Sequence, residues 1–99
     1  MSDYPSEAAL TAIREWPLDD PAGWFAFIRS IWWSADWGWT TEEKASKTLH
    51  NVSTGGWSGN EEIIDAMRES VLWGMTWRIH SVGGHYEFGV MHAAAKDQP

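Results

Sequence analysis

The sequence predicts an α+β fold, a small antiparallel sheet of about four strands packed against helices in the order α-α-β-β-α-β-β. Three observations carry this reading. Apolar residues recur at helical spacing before residue 34 and again after Ser58; they alternate with period two from Trp73 to Val90; and the pairs Gly55-Gly56 and Gly83-Gly84 stand where the pattern changes. Ninety-nine residues, 43% of them hydrophobic, suit one core and one domain. Nine tryptophans give that core large apolar area.

The first helix is expected from about Ser6 to Trp16, where Leu10, Ile13 and Trp16 share a face, Ser6 or Asp3 can cap and Pro17 stops the run. Asp20-Pro21 then places a capping carboxylate before a proline suited to a first helical turn. In the second helix Trp24, Phe27, Ile28, Ile31 and Trp32 form the apolar stripe, widened by Phe25 and Trp33. Beyond Ser34-Ala35-Asp36, the stretch Trp37–Thr40 alternates as a short strand, with Gly38 permitting close approach of another element. Thr41–Ser46 reads as a turn or a single helical turn, and Thr48–Ser53 as a second strand.

Ser58-Gly59-Asn60-Glu61 has the form of a capping box and opens a third helix with Ile63, Ile64, Met67 and Val71 on its apolar face and Leu72 near its end. Trp73, Met75, Trp77 and Ile79 alternate with polar or small residues, as do Tyr86, Phe88 and Val90, so a hairpin closes the fold. Its loop is either Gly83-Gly84 or Ser81–Gly84. Both registers put Trp77, Ile79, Tyr86 and Phe88 on the core side and Arg78, His80, His85 and Glu87 on the other. Residues 93–99 read as a frayed tail.

Composition narrows function. Cysteine is absent, which removes disulfides, thiolate metal sites and a cysteine nucleophile. A formal charge of −7 repels phosphate backbones, so direct nucleic-acid binding is not expected. Met1–Pro5 lacks the basic start and apolar run of a secretory signal, and no apolar stretch is long enough to span a membrane, so the expected compartment is the cytoplasm.

The chemistry-bearing segment is Thr54-Gly55-Gly56-Trp57-Ser58-Gly59-Asn60, a glycine-rich loop entering a helix, where free amides and the macrodipole favour an anion. It lacks the Walker lysine and the G-x-G-x-x-G spacing, and Glu61 and Glu62 oppose an anion. The same residues serve equally as a tight turn and a cap. His50, Glu61 and His85 are the candidate acid/base residues, but no nucleophile elbow or metal-ligand spacing accompanies them, and neither a metal nor a cofactor is called for. Trp32, Trp33, Trp37 and Trp39 crowd together and mark a candidate partner surface or a Trp-rich core.

Thr54–Glu62, followed by Trp73, Trp77 and Gly83-Gly84-His85-Tyr86-Glu87-Phe88, resembles small uncharacterised proteins of tailed bacteriophages and prophages. The resemblance covers about half the chain, mainly the C-terminal half. It implies a phage accessory protein made in a bacterial host, and carries no activity with it. Taken with the surplus of tryptophan and the acidic balance, the leading expectation is a protein that acts without catalysis by binding a host or phage protein, with a homo-oligomer also open. The alternative is a small-ligand or anion-binding module, with or without enzymatic activity, built on the glycine-rich loop.

Overall fold

The computed structural model describes residues 4–81 and 84–91. Helix α1 (Glu7–Arg14) is capped by Ser6, whose hydroxyl accepts the Ala9 N–H at 3.1 Å. It ends two residues before Trp16, whose indole N–H donates to the Asp20 carbonyl (3.0 Å) and carboxylate (3.2 Å) while its ring stacks on Phe27. Asp20 in turn accepts the Gly23 N–H at 3.0 Å and caps α2 (Pro21–Ile31), the role expected of it. On α2 the fully buried residues are Trp24, Phe25 and Ile28, whereas Phe27 and Ile31 are half-buried, so the apolar face is rotated toward Phe25.

Ser34 takes a left-handed conformation (φ 58°) and turns the chain into a single helical turn, α3 (Ala35–Gly38). The strand expected at Trp37–Thr40 therefore starts later. Strand β1 is Trp39–Glu43, and the residues read as a turn, Thr41–Glu43, lie within it. Four alternating residues fit a helical turn as well as a strand, whereas the β-branched pair Thr40-Thr41 favours extended backbone. Strand β2 (Lys47–Ser53) pairs with β1 in antiparallel register, Trp39 opposite Val52 and Glu43 opposite Thr48.

The third expected helix is two. Helix α4 (Ser58–Arg68) carries Ile63, Ile64 and Met67 inward as expected. Ser70 then caps a second helix, α5 (Val71–Thr76), by accepting the Leu72 N–H at 3.1 Å. This break moves Val71 out of the core, and Met75 lies on an exposed helical face instead of in a strand. Strand β3 (Trp77–Ser81) begins only at Trp77, which is also exposed.

Strand β4 (His85–Met91) runs antiparallel to both β3 and β2, giving sheet order β1-β2-β4-β3. Strands β2 and β3 are consequently parallel, which requires the helical crossover through α4 and α5, and β4 returns into the gap between them. Ser81 pairs with His85, and the expected hairpin loop falls on residues 82 and 83, which lie outside the described ones. A register shift between Trp77 and Ile79 breaks the strict alternation of β3. Arg78 and Glu87, expected on the same sheet face, form an ion pair at 2.7 Å, while the expected tail at 93–99 and the side chains of Ile79 and His80 lie outside the described residues.

The inner sheet face, with Trp39, Val52, Tyr86, Phe88 and Val90, meets α1, α2 and α4 through Leu10, Ile13, Trp24, Phe25, Ile28, Ile63, Ile64 and Met67. The architecture is the predicted α+β one: four antiparallel strands packed against helices, with two short helices added to the expected order. Among the described residues, no helix is long and apolar enough to cross a membrane.

Candidate functional site

The segment singled out as a ligand loop is a tight turn followed directly by a helix. Gly55 (φ 63°) and Gly56 (φ 75°) occupy the centre of a turn closed by the Trp57 N–H donating to the Thr54 carbonyl at 3.0 Å. Positive φ at both central positions defines a type I′ turn, which glycine adopts without steric penalty. The Gly56 N–H donates to the Thr54 hydroxyl at 3.3 Å, so two loop amides are committed internally. Thr54 is buried, and its own N–H donates to the Gly84 carbonyl at 3.0 Å, fastening the turn to the β3–β4 hairpin.

The expected capping box is not formed. Trp57 occupies the N-cap position and Ser58 is already helical, with no side chain capping the first turn of α4. The Ser58 hydroxyl instead shares a 2.5 Å hydrogen bond with the Tyr4 hydroxyl. The N-cap falls one residue before the serine expected there, so Glu61 has no serine cap to reciprocate. Gly59 lies beneath the Trp57 indole: a Cβ there would fall 2.6 Å from Nε1, a nitrogen that is buried and has no hydrogen-bond partner among the described residues.

Asn60 joins the two regions that the sequence marked separately. Its side chain is buried; Oδ1 accepts the Trp33 N–H at 2.9 Å, and Nδ2 donates to the Trp33 carbonyl at 3.1 Å and the Thr54 carbonyl at 3.4 Å. The α2–α3 junction is thereby held against the Thr54–Trp57 turn. Trp33 stacks on Trp57 with ring centroids 4.9 Å apart, and the Tyr4 ring packs at a tilt against the same indole at 5.2 Å. Trp37 lies over Gly55, where a Cβ would come within 2.9 Å of its ring.

The four crowded tryptophans divide into two pairs. Trp32 and Trp39 are buried; the Trp32 indole N–H donates to the Ser53 carbonyl at 3.2 Å and the Trp39 indole N–H to His50 Nδ1 at 3.2 Å. Trp33 and Trp37 are 40% and 68% exposed, and both flank the glycine turn. One aromatic surface therefore contains Trp33, Trp37 and Trp57, with Tyr4 at its margin. Tyr4 was not singled out in the sequence, because its place depends on a contact with Ser58 far along the chain.

His50, Glu61 and His85 line three different cavities. His50 is on the inner sheet face, stacked on Phe25 at 4.5 Å, whereas His85 is exposed and lies on the outer face beside Asn51 and Glu87. They form no common acid/base centre. Burial lowers the His50 pKa to about 4, against a smaller opposing effect of Glu43 and a further lowering by Arg29. Its imidazole is neutral at pH 7. Because Nδ1 accepts from Trp39, the ring proton resides on Nε2.

This shift makes folding pH-dependent. The unfolded state, with an ordinary histidine, binds a proton near pH 6.5, while the folded state does so only near pH 4. The His50 contribution is thus complete above pH 6.5 and is lost as pH falls toward 4. After discounting for partial solvent access, the loss is about 1–2 kcal/mol. Urea unfolding of wild type and His50→Gln at pH 4 to 7.5 should show a gap that narrows on acidification; a constant gap contradicts the assignment.

No family model, curated protein or solved structure matches this chain.

Proposed function

We propose that this protein acts by stoichiometric binding to another protein, through the aromatic surface around the Thr54–Trp57 turn. The observation that carries the reading is the outward presentation of Trp33 and Trp37 on a rigid support. Trp33 is braced by Trp57 and by two backbone hydrogen bonds with the Asn60 side chain, one accepted and one donated by it, and Trp37 rests on Gly55. A protein that needed tryptophan only for its core would bury these rings as it buries Trp24, Trp32 and Trp39. Rigid, partly exposed indoles lose little conformational entropy on association and supply large contact area, which is why tryptophan dominates interaction hot spots.

The formal charge of −7 supports a partner with a basic contact surface. The likeness of the Thr54–Glu62 segment to tailed-phage and prophage proteins supports a phage accessory protein in the cytoplasm of a bacterial host, whose partner is a host or phage protein. The separation of His50, Glu61 and His85 among three cavities supports binding over catalysis.

Affinity capture from bacterial lysate identifies the partner, and Trp37→Ala and Trp33→Ala then test the surface. Each is expected to weaken binding by about 2 kcal/mol, roughly thirtyfold, as for a central aromatic contact. Trp37→Ala should leave the thermal midpoint within about 2 °C of wild type, since exposed residues contribute little to stability. Unchanged affinity in both variants would remove the surface from the proposal.

A further inference from the structure

The helices pack on the inner face of the sheet, and the outer face carries a cleft of about 500 Å³ beside Trp37. The strand register fixes its floor. Thr40 of β1, Asn51 of β2 and Glu87 of β4 are successive cross-strand partners, so their side chains stand in one outward row, about 4.8 Å apart. Ser53 and His85, partners two residues nearer the glycine turn, begin the next row about 7 Å away. Trp37 closes that end. Its ring packs on Gly55 just past β2, and a Cβ on the following Gly38 would fall 2.7 Å from the Ser53 carbonyl, which holds the indole beside the Ser53–His85 row.

The polar groups of this floor are mostly uncommitted. Among the described residues, the side chains of Thr40, Asn51, Ser53 and His85 form no hydrogen bond. Glu87 gives one carboxylate oxygen to Arg78 at 2.7 Å, so the one carboxylate lining the cleft is already matched. We infer that this cleft binds an uncharged pyranose sugar, its C–H face against the largely exposed Trp37 indole and its hydroxyls on the Thr40–Asn51–Glu87 and Ser53–His85 rows.

The chemistry of the floor selects this class. Each sugar hydroxyl both donates and accepts, and so do the Asn51 amide and the Thr40 and Ser53 hydroxyls, so a hydroxylated ring finds partners of both kinds. Its C–H hydrogens carry slight positive charge, which the negative face of an indole attracts. A wholly apolar ligand would strip water from these side chains without replacing its hydrogen bonds. A cation competes with Arg78 for Glu87, and an anion is repelled by that carboxylate. The site is separate from the protein-binding reading, because Trp33, Trp57 and Tyr4 take no part in it.

Suitable probes are the methyl glycosides of glucose, galactose, mannose and N-acetylglucosamine, with cyclohexanol and methyl glucuronide as the hydroxyl-poor and charged controls. In ¹⁵N-resolved titrations of the full chain, at least one glycoside is expected to shift the Trp37 indole and Asn51 amide resonances together, with a dissociation constant of about 1–10 mM, as suits so small a ligand. Both controls should bind at least about fivefold more weakly. Asn51→Ala should weaken that glycoside about tenfold, and Thr40→Val, which keeps a strand-forming shape, about threefold. Both side chains are on the outer face, and far-UV circular dichroism verifies that each variant is folded. Neither change should alter capture of the protein partner, which keeps failure of this site distinct from failure of the aromatic surface. Silence of every glycoside up to about 50 mM, equal binding of cyclohexanol, or full affinity in folded Asn51→Ala and Thr40→Val would each overturn the assignment.

Discussion

Trp24→Ala is expected to lower stability by about 4–5 kcal/mol, toward the upper end for truncating a buried aromatic. Trp24 heads the fully buried side chains by size, at 0% exposure, and stands in T-shaped contact with Phe25 at 5.0 Å. It also donates its indole N–H to the Ile13 carbonyl at 3.0 Å, near the end of α1, so its removal opens a cavity and leaves a carbonyl unpaired. A domain of this size has a total stability of about 5–15 kcal/mol, so the variant should be partly unfolded at 37 °C. Trp24→Phe separates the two effects: it keeps most of the apolar volume and should cost about 1–3 kcal/mol. Urea unfolding followed by far-UV circular dichroism measures both; a loss below 1 kcal/mol for Trp24→Ala would mean that α2 is not seated on α1 as described.

The parts of the fold legible in the sequence were those set by local chemistry. Ser6 and Asp20 announced their helices because a short oxygen-bearing side chain before an apolar rhythm has one favourable use, and both cap as expected. The alternation Tyr86, Phe88, Val90 was equally direct, since each residue is buried against a helix layer. What failed was decided by tertiary context. Trp73 and Met75 alternate as a strand would, but Ser70 starts a new helix there, and Thr76 reinforces it by donating its hydroxyl to the Leu72 carbonyl at 2.7 Å. Six residues are too few for a helical period to declare itself against a period of two.

The candidate site divides along the same line. The Gly55-Gly56 turn was visible because two adjacent glycines are what a type I′ turn requires. That Trp33 and Trp37 would lie beside this turn, while Trp32 and Trp39 went inward, was not visible: adjacent residues differ in burial according to how α2 ends and how Ser34 redirects the chain. The outer cleft was half visible for a related reason. Alternation put His85 and Glu87 on the exposed face, but that β4 would lie against β2 and bring Asn51 and Ser53 beside them is decided by the crossover through α4 and α5.

Asn60 offers the sharpest test of how the turn and the tryptophans are coupled. Its amide makes three hydrogen bonds, two to the backbone of Trp33 and one to Thr54, from a side chain that is 1% exposed. Asn60→Ala leaves the Trp33 N–H and carbonyl without protein partners, and the expected loss is about 2–4 kcal/mol, moderated by water that can reach the exposed side of Trp33. Asn60→Asp is nearly identical in shape and keeps an acceptor for the Trp33 N–H, but it places a carboxylate against two carbonyl oxygens where two N–H donors stood. It is therefore expected to be at least as damaging as alanine at neutral pH and to recover in part when acidified, because a protonated carboxyl can donate to one of the carbonyls. Denaturant midpoints at pH 7 and pH 5 distinguish these outcomes, and a red shift in tryptophan emission should accompany the release of Trp33 from Trp57. If Asn60→Ala folds with wild-type stability and an unchanged emission maximum, the aromatic surface is not held by Asn60, and the geometry proposed for partner binding loses its support.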